Sequence, residues 1–247
     1  YKIINPERRN KMPADLHLHS IFSDGSSTPE KLIKLAEEKD ILTVSLTDHD
    51  TVEGIERALA AGKEYGVEVI PAVEFSTFID KAEIHILGYY IDYYNDKLLQ
   101  KIKNIFDSRI DRAQEMIKLL NQQGVEINYD LVKEIAGDNY IGRPHIARAM
   151  VSKGYIEKMG EAFCDKYIGN GGKAYISKYK VNPKEVIDLI KYAGGIPVLA
   201  HPAFINHGKP LRKNDISLLC ESGLEGIEVY HSKHNKQQTE YYKNIAE

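Results

Sequence analysis

The chain has 247 residues, enough for one large α/β domain or for a core domain that carries an insertion. With 43% hydrophobic and 28% charged residues it can build a packed core, and its formal net charge of −3 gives no electrostatic basis for wrapping long duplex DNA or coating an anionic membrane. Overall charge still leaves room for a local basic pocket that takes a small phosphorylated ligand.

In chain order, the opening YKIINPERRNK has no apolar centre of the kind a signal peptide needs, and no run approaches membrane-spanning length. The residues before Met12-Pro13 are an extension of unassigned role. ADLHLHS follows with period two, Leu16 and Leu18 on one face and His17 and His19 on the other, which predicts a strand. Thr28-Pro29 supplies a cap and a first-turn proline for the helix PEKLIKLAEEKD. The apolar run ILTVSLTDHD, the helix TVEGIERALAAGKEYG with its glycine stop, and two further strands, VEVIPAVEFS and EIHILGYYID, complete the first part. Short apolar strands separated by amphipathic helices imply a parallel sheet, open or closed into a barrel.

From Asn95 the pattern turns helical. One long helix, DKLLQKIKNIFDSRIDRAQEMIKLLNQQG, is followed by DLVKEIAG, PHIARAMVSKG and KMGEAFCDKYIG. The strand–helix rhythm resumes with NPKEVIDLIKYAGG, IPVLAHP, DISLLCESG and LEGIEVYHS, and the last residues, QQTEYYKNIAE, read as a helix cut off before another strand. The expected organisation is an α/β core over residues 13–94 and 181–247, interrupted by an all-helical insertion over 95–180. Cys164 and Cys220 fall in helix-like segments and form no metal-type pair, which fits a reducing, cytoplasmic setting.

Nearly every strand of the core ends in chemistry. The first delivers His17 and His19, with Asp24 in the loop behind them; the second delivers Asp48 and His49, and the third Glu74. The fourth carries His85, a later one ends at His201, and the last ends at His231. Loops at the C-terminal ends of parallel strands converge, so groups far apart in sequence meet there. Singly, each has an ordinary explanation: a hydrogen-bonded strand histidine (as His207 and His234 are read), a helix cap, a proline-bounded strand end. Together they point to one site. Packed imidazoles repel when protonated and lose hydration when neutral and unpaired, and a divalent ion resolves both because it binds neutral imidazole and ionised carboxylate. Mixed His, Asp and Glu donors without cysteine suit Zn, Mn or Fe, and a central glutamate such as Glu74 can bridge two ions.

The motifs DLHLHSIFSDGSSTPE, LTDHDTVEG, PAVEFS, IHILGY and LAHP, in this order, resemble the polymerase-and-histidinol-phosphatase (PHP) family, and IGRPHIARAMVSKGY is similar to its stand-alone nucleotide phosphoesterases and 5′-3′ exoribonucleases. The resemblance implies a distorted, TIM-like βα barrel of seven strands with a cluster of two or three divalent ions. It places His17, His19 and Glu74 on one ion, Glu74, His85 and His201 on a second, and Asp24 and His49 on a third, with catalysis assigned to Asp24 and His49. The family closes this cluster with a late Asp-x-His motif. The chain ends without one, so the first and third positions are each expected to lack a ligand.

The function this implies is hydrolysis of phosphate esters of nucleotides, such as nucleoside bisphosphates, or of short oligonucleotides, by metal-activated water. The alternatives are a phosphatase of a small metabolite such as histidinol phosphate, or a weakly active metal-binding module. Arg143 and His145, in GRPH, are the expected contacts to substrate phosphate, with His231 and Lys180 as weaker ones. Asp48 is expected to orient an imidazole rather than hold an ion. The insertion leaves the core soon after His85 and returns before the strand that ends in His201, so it is expected to shape substrate choice.

Overall fold

The computed structural model describes residues 13–80, 82–137, 141–205 and 209–247; the N-terminal extension and His207 lie outside the described residues. The chain divides into two compact units, one from the described residues of Tyr1–Gln100 with Lys180–Glu247, the other Lys101–Tyr179.

The first unit alternates strands and helices: β1 (Ala14–Leu18), α1 (Pro29–Glu38), β2 (Thr43–Leu46), α2 (Ile55–Tyr65), β3 (Glu68–Ile79) and β4 (Ala82–Tyr89). After α3 (Asp96–Gln122), which carries the chain into the second unit, come α4 (Tyr129–Ala136) and α5 (Arg143–Ser152). The first unit then resumes with α6 (Pro183–Tyr192), β5 (Ile196–Leu199), α7 (Lys213–Glu221), β6 (Gly226–Ile227) and α8 (Lys236–Ala246).

Local signals set the boundaries. Thr28 caps α1 by accepting from the Lys31 N–H, with Pro29 in the first turn, and α2 stops at Gly66, whose φ of +72° a side chain would oppose. Ile33, Ala36, Ala58 and Ala61 of the two helices bury against Val44 and Leu46, which fixes them on one face of the sheet. α6 covers β4 closely, because a Cβ at Gly88 would stand 2.8 Å from the Ile190 side chain.

The six strands found among the described residues form one sheet in chain order, but the sheet is mixed rather than parallel. β1, β2 and β3 run parallel, as do β5 and β6, whereas β4 is antiparallel to both neighbours. Only residues 80 and 81 separate β3 from β4, and a parallel crossover needs a dozen or more. The sheet is also curled. Tyr89 Oη donates to the Leu16 carbonyl at 2.9 Å, and His17 of β1 lies 3.0 Å from Glu228, the residue after β6.

In the second unit, Met116, Leu120, Val132, Ile146, Met150 and Ile168 form an apolar core, and no strand occurs among the described residues. KMGEAFCDKYIG, expected to be helical, forms a single 3-10 turn at Met159–Ala162. The chain then folds tightly over the Cys164 carbonyl, which accepts from the Tyr167 and Gly169 N–H groups, and a Cβ at Gly169 would stand 2.7 Å from Cys164 backbone. Both cysteines are free and exposed. No helix among the described residues is long and apolar enough to cross a membrane.

Candidate metal centre

Glu74, in the middle of β3, has no solvent exposure. Its carboxylate is the hub of the site. Oε2 lies 3.2 Å from His17 Nε2, 3.1 Å from His19 Nε2 and 3.3 Å from His49 Nδ1. Oε1 lies 2.8 Å from His85 Nδ1 and 3.0 Å from His201 Nε2. Five imidazoles from four segments thus converge on one carboxylate. His85 reaches it from the middle of the antiparallel β4 rather than from a strand end.

Asp24 closes the set at the rim. Its side chain is 62% exposed, with Oδ1 3.2 Å from His19 Nδ1 and Oδ2 4.0 Å from His49 Nε2. The loop that carries it is pinned from below by Asp48, which is buried and accepts from the Ser20 N–H at 2.7 Å, from Ser20 Oγ at 2.6 Å and from Ser23 Oγ at 2.6 Å. Asp48 therefore acts on His19 one step removed, through Ser23, whose Oγ lies 3.3 Å from His19 Nδ1. The orienting role of Asp48 is thus indirect, because Ser20 and Ser23 use both of its oxygens. Gly25 is required where the loop turns back, since a Cβ there would come within 2.1 Å of the His19 carbonyl oxygen.

One contributor was not singled out from sequence. Glu228 Oε1 lies 3.0 Å from His17 Nδ1, and Oε2 accepts from the His201 N–H at 2.7 Å. A single carboxylate therefore fixes the ring of one cluster histidine and the backbone of another. His231, expected to contact substrate, stands among the ligand-type groups: its ring is 5.8 Å from that of His17 and 5.2 Å from that of His201. The candidate ligand groups overlap as His17–Glu74–His201, His19–His49–Glu74 and His17–Glu228–His231.

Electrostatics follow from this crowding. Burial opposes charge on His17, but hydrogen bonding with Glu228 and Glu74 outweighs it and holds the imidazole up at about 9. His19 stands at about 9 for the same reasons, with Asp24 and Glu74 as partners, and so does His85, with Glu74 and Glu83. Burial pushes His49 the other way, down to about 4. Burial alone would raise the Glu74 carboxyl; the surrounding imidazoles hold it well below the usual range. The His19 contact draws Asp24 down to about 2.

The donor set fits divalent metal. His17 Nε2 and His19 Nε2 are 3.1 Å apart and aimed at the same carboxylate oxygen, and the buried Nδ1 of His49 makes no hydrogen bond among the described residues. Protons satisfy this arrangement only by placing several cations side by side. Lone pairs turned toward a shared ion satisfy it without that repulsion.

Arg143 and His145 belong to the second unit. Arg143 Nη1 donates to the Ile168 carbonyl at 3.2 Å and to Asn170 Oδ1 at 2.8 Å, with Phe163 and Tyr175 rings beside the guanidinium. His145 Nδ1 accepts from the Gly142 N–H at 3.1 Å and so caps α5. Lys180 Nζ donates to the Asp80 carbonyl at 2.7 Å. His234 is tied to backbone, with Nδ1 3.0 Å from the Val229 carbonyl.

The PHP domain pattern matches residues 15–194. A 5′-3′ exoribonuclease of Haemophilus influenzae is 35% identical over 225 residues, which cover 91% of this chain and 81% of that protein. A 3′,5′-nucleoside bisphosphate phosphatase of Chromobacterium violaceum is 32% identical over 222 residues, or 90% of this chain and 78% of the relative. A solved structure from Bifidobacterium adolescentis, described as a metal-dependent phosphoesterase, superposes with a TM-score of 0.80 at 31% identity, covering 95% of this chain and 83% of that one. Fold and site together define the class, the phosphoesterases that depend on metal. Within it, the chain belongs to the PHP domain family.

Proposed function

We propose that this chain hydrolyses phosphate esters of nucleotides, nucleoside bisphosphates among them, or of short oligonucleotides. The observation that carries this reading is the buried Glu74 carboxylate with imidazoles of His17, His19, His49, His85 and His201 at 2.8–3.3 Å, in a chain whose relatives are a bisphosphate phosphatase and an exoribonuclease. The proposed ligands for two or three ions are these six residues and Asp24, and the absence of thiolate donors favours Mn, Zn or Fe. Bound there, such ions supply electrostatic stabilisation of the phosphoryl oxygens and an activated water.

The chain's own residues do the rest. Glu74 offers one oxygen to each half of the cluster, and Glu228 holds the His17 ring so that Nε2 faces inward. Asp24, at the exposed rim, and the largely buried His49 are the proposed catalytic pair that positions the attacking water. Arg143 and His145 are the proposed phosphate contacts, for which a planar guanidinium is suited, and the helical segment 95–180 is proposed to tune substrate choice around the core segments 13–94 and 181–247. We read the sheet as part of a seven-stranded barrel, a reading supported by the His17–Glu228 contact that joins its two edges. A cytoplasmic setting is proposed from the two free cysteines, and long duplex nucleic acid and membranes are excluded from the proposed partners on charge.

The test is a phosphate-release screen of protein reconstituted with Mn or Zn, across nucleoside bisphosphates, 5′-phosphorylated oligonucleotides and histidinol phosphate. Release from the nucleotides is expected to dominate. Turnover of histidinol phosphate alone, or of nothing, would overturn the reading.

A further inference from the structure

His201 lies just beyond β5 with φ of +27°, a left-handed conformation that is uncommon outside glycine. It opens a tight turn in which the Phe204 N–H donates to the His201 carbonyl at 2.8 Å and His201 Nδ1 lies 3.2 Å from the Phe204 carbonyl. The turn therefore fixes the His201 ring through one nitrogen and sets Phe204 beside it, ring centroids 6.2 Å apart and nearly perpendicular. Phe204 is nevertheless 45% exposed. Lys233 Nζ stands 4.1 Å from the centre of its ring, and His231, two residues before Lys233, is 5.2 Å from His201. An exposed aromatic ring with an ammonium on its face thus stands one residue's width from the ligand cluster, and neither group belongs to the proposed metal centre.

We propose that Phe204 and Lys233 form a subsite for the part of the substrate beyond the scissile phosphate, with Phe204 stacking the nucleobase and Lys233 pairing with a second phosphate. This rests on the nucleotide reading above and names the residues that would enforce it. Every base has a π-face, so a single ring accepts any of them. Among the described residues, the ammonium on that ring is held by an exposed cation–π contact, which is weak. A phosphate oxygen offers it a stronger, charge-assisted partner. A substrate that brings both a base and a second phosphate can therefore exchange the two contacts, the base taking the ring and the phosphate taking Lys233. A substrate with only a sugar and one phosphate gains neither.

The experiment compares kcat/KM of the metal-reconstituted wild type, Phe204→Ala, Phe204→Tyr and Lys233→Met on a nucleoside 3′,5′-bisphosphate, a nucleoside 5′-monophosphate and ribose 5-phosphate. In Phe204→Ala the preference for the bisphosphate over ribose 5-phosphate is expected to fall about tenfold, within the range that stacking on one ring supplies, while Phe204→Tyr keeps it. In Lys233→Met the preference for bisphosphate over monophosphate is expected to fall by about the same factor. Metal content by elemental analysis is expected to match wild type in all three, which separates loss of the ring from disturbance of His201. If wild type prefers nucleotides and Phe204→Ala leaves the ratio unchanged, or loses metal, the subsite is wrong and the nucleotide reading stands. If wild type prefers ribose 5-phosphate, the nucleotide reading falls and the subsite with it.

Discussion

In the second unit Met116, Leu120, Val132, Ile146 and Met150 build an apolar cluster, whereas around Glu74 the first buries a carboxylate ringed by five imidazoles. Burying carbon releases free energy in proportion to the area removed from water, and that interior asks for no partner. Burying charge costs several kcal/mol per group in order of magnitude unless a counter-charge and hydrogen bonds offset it. The helical unit therefore shows where apolar burial stabilises the chain, and the Glu74 cluster shows where stability has been given up for ligand chemistry. A change in one interior should be felt as stability, and in the other as metal binding and turnover.

The strongest way to break this comparison is Glu74→Gln. Losing the charge shared by both halves of the cluster is expected to lower metal content and to cut turnover by at least about 100-fold, the order seen when one preorganised electrostatic group is lost from an active site. Thermal unfolding should show the apolar cores intact; a variant with wild-type metal and rate would remove Glu74 from the site. Leu120→Ala is the reverse case. Leu120 is fully buried, so the substitution is expected to cost about 2–5 kcal/mol in urea unfolding. Its metal-loaded activity per folded molecule should hold, and a selective loss of metal would erase the distinction between the two interiors.

Smaller effects sharpen it. Arg143→Ala is expected to lower kcat/KM on nucleotide substrates by about 1.5–3 kcal/mol with metal content unchanged, and unchanged kinetics would remove Arg143 from the substrate contacts. Glu228→Gln keeps the size of the side chain but weakens its hold on the His17 ring and the His201 N–H. A loss of about 10–100-fold in metal affinity, read by competition with a chelator, is the expected result. Affinity equal to wild type would reduce Glu228 to a structural link between the edges of the sheet.

Much of the site was legible because its residues follow local rules. His17 and His19 announce themselves by period two, and Asp24, His49 and His201 lie past the ends of strands where loops gather, whereas Glu74, expected at a strand end, lies in the middle of β3 because that strand runs on to pair with β4. His85 was found by its type, but its place in mid-strand followed from the antiparallel β4, and the two-residue connection behind it was the signal for that hairpin. Glu228 is not legible from local pattern because its partner, His17, is 211 residues away. The available signal is an acid directly past a short strand, as Glu228 is past β6. For Asp48 the sequence suggests an acid that orients an imidazole, while the serines through which it acts come from a different loop. The helix expected over KMGEAFCDKYIG failed because Gly169 and Gly172 allow backbone to close on the Cys164 carbonyl, an approach no hydrophobic pattern encodes.

The account stands on the claim that the imidazoles around Glu74 are a metal centre and not a buried polar network. Elemental analysis of protein purified without chelator, then reconstituted with Mn or Zn and freed of excess, tests it most directly. Two or more divalent ions per chain are predicted, lost together in Glu74→Gln. A wild-type chain that is folded yet holds no stoichiometric metal would contradict the claim.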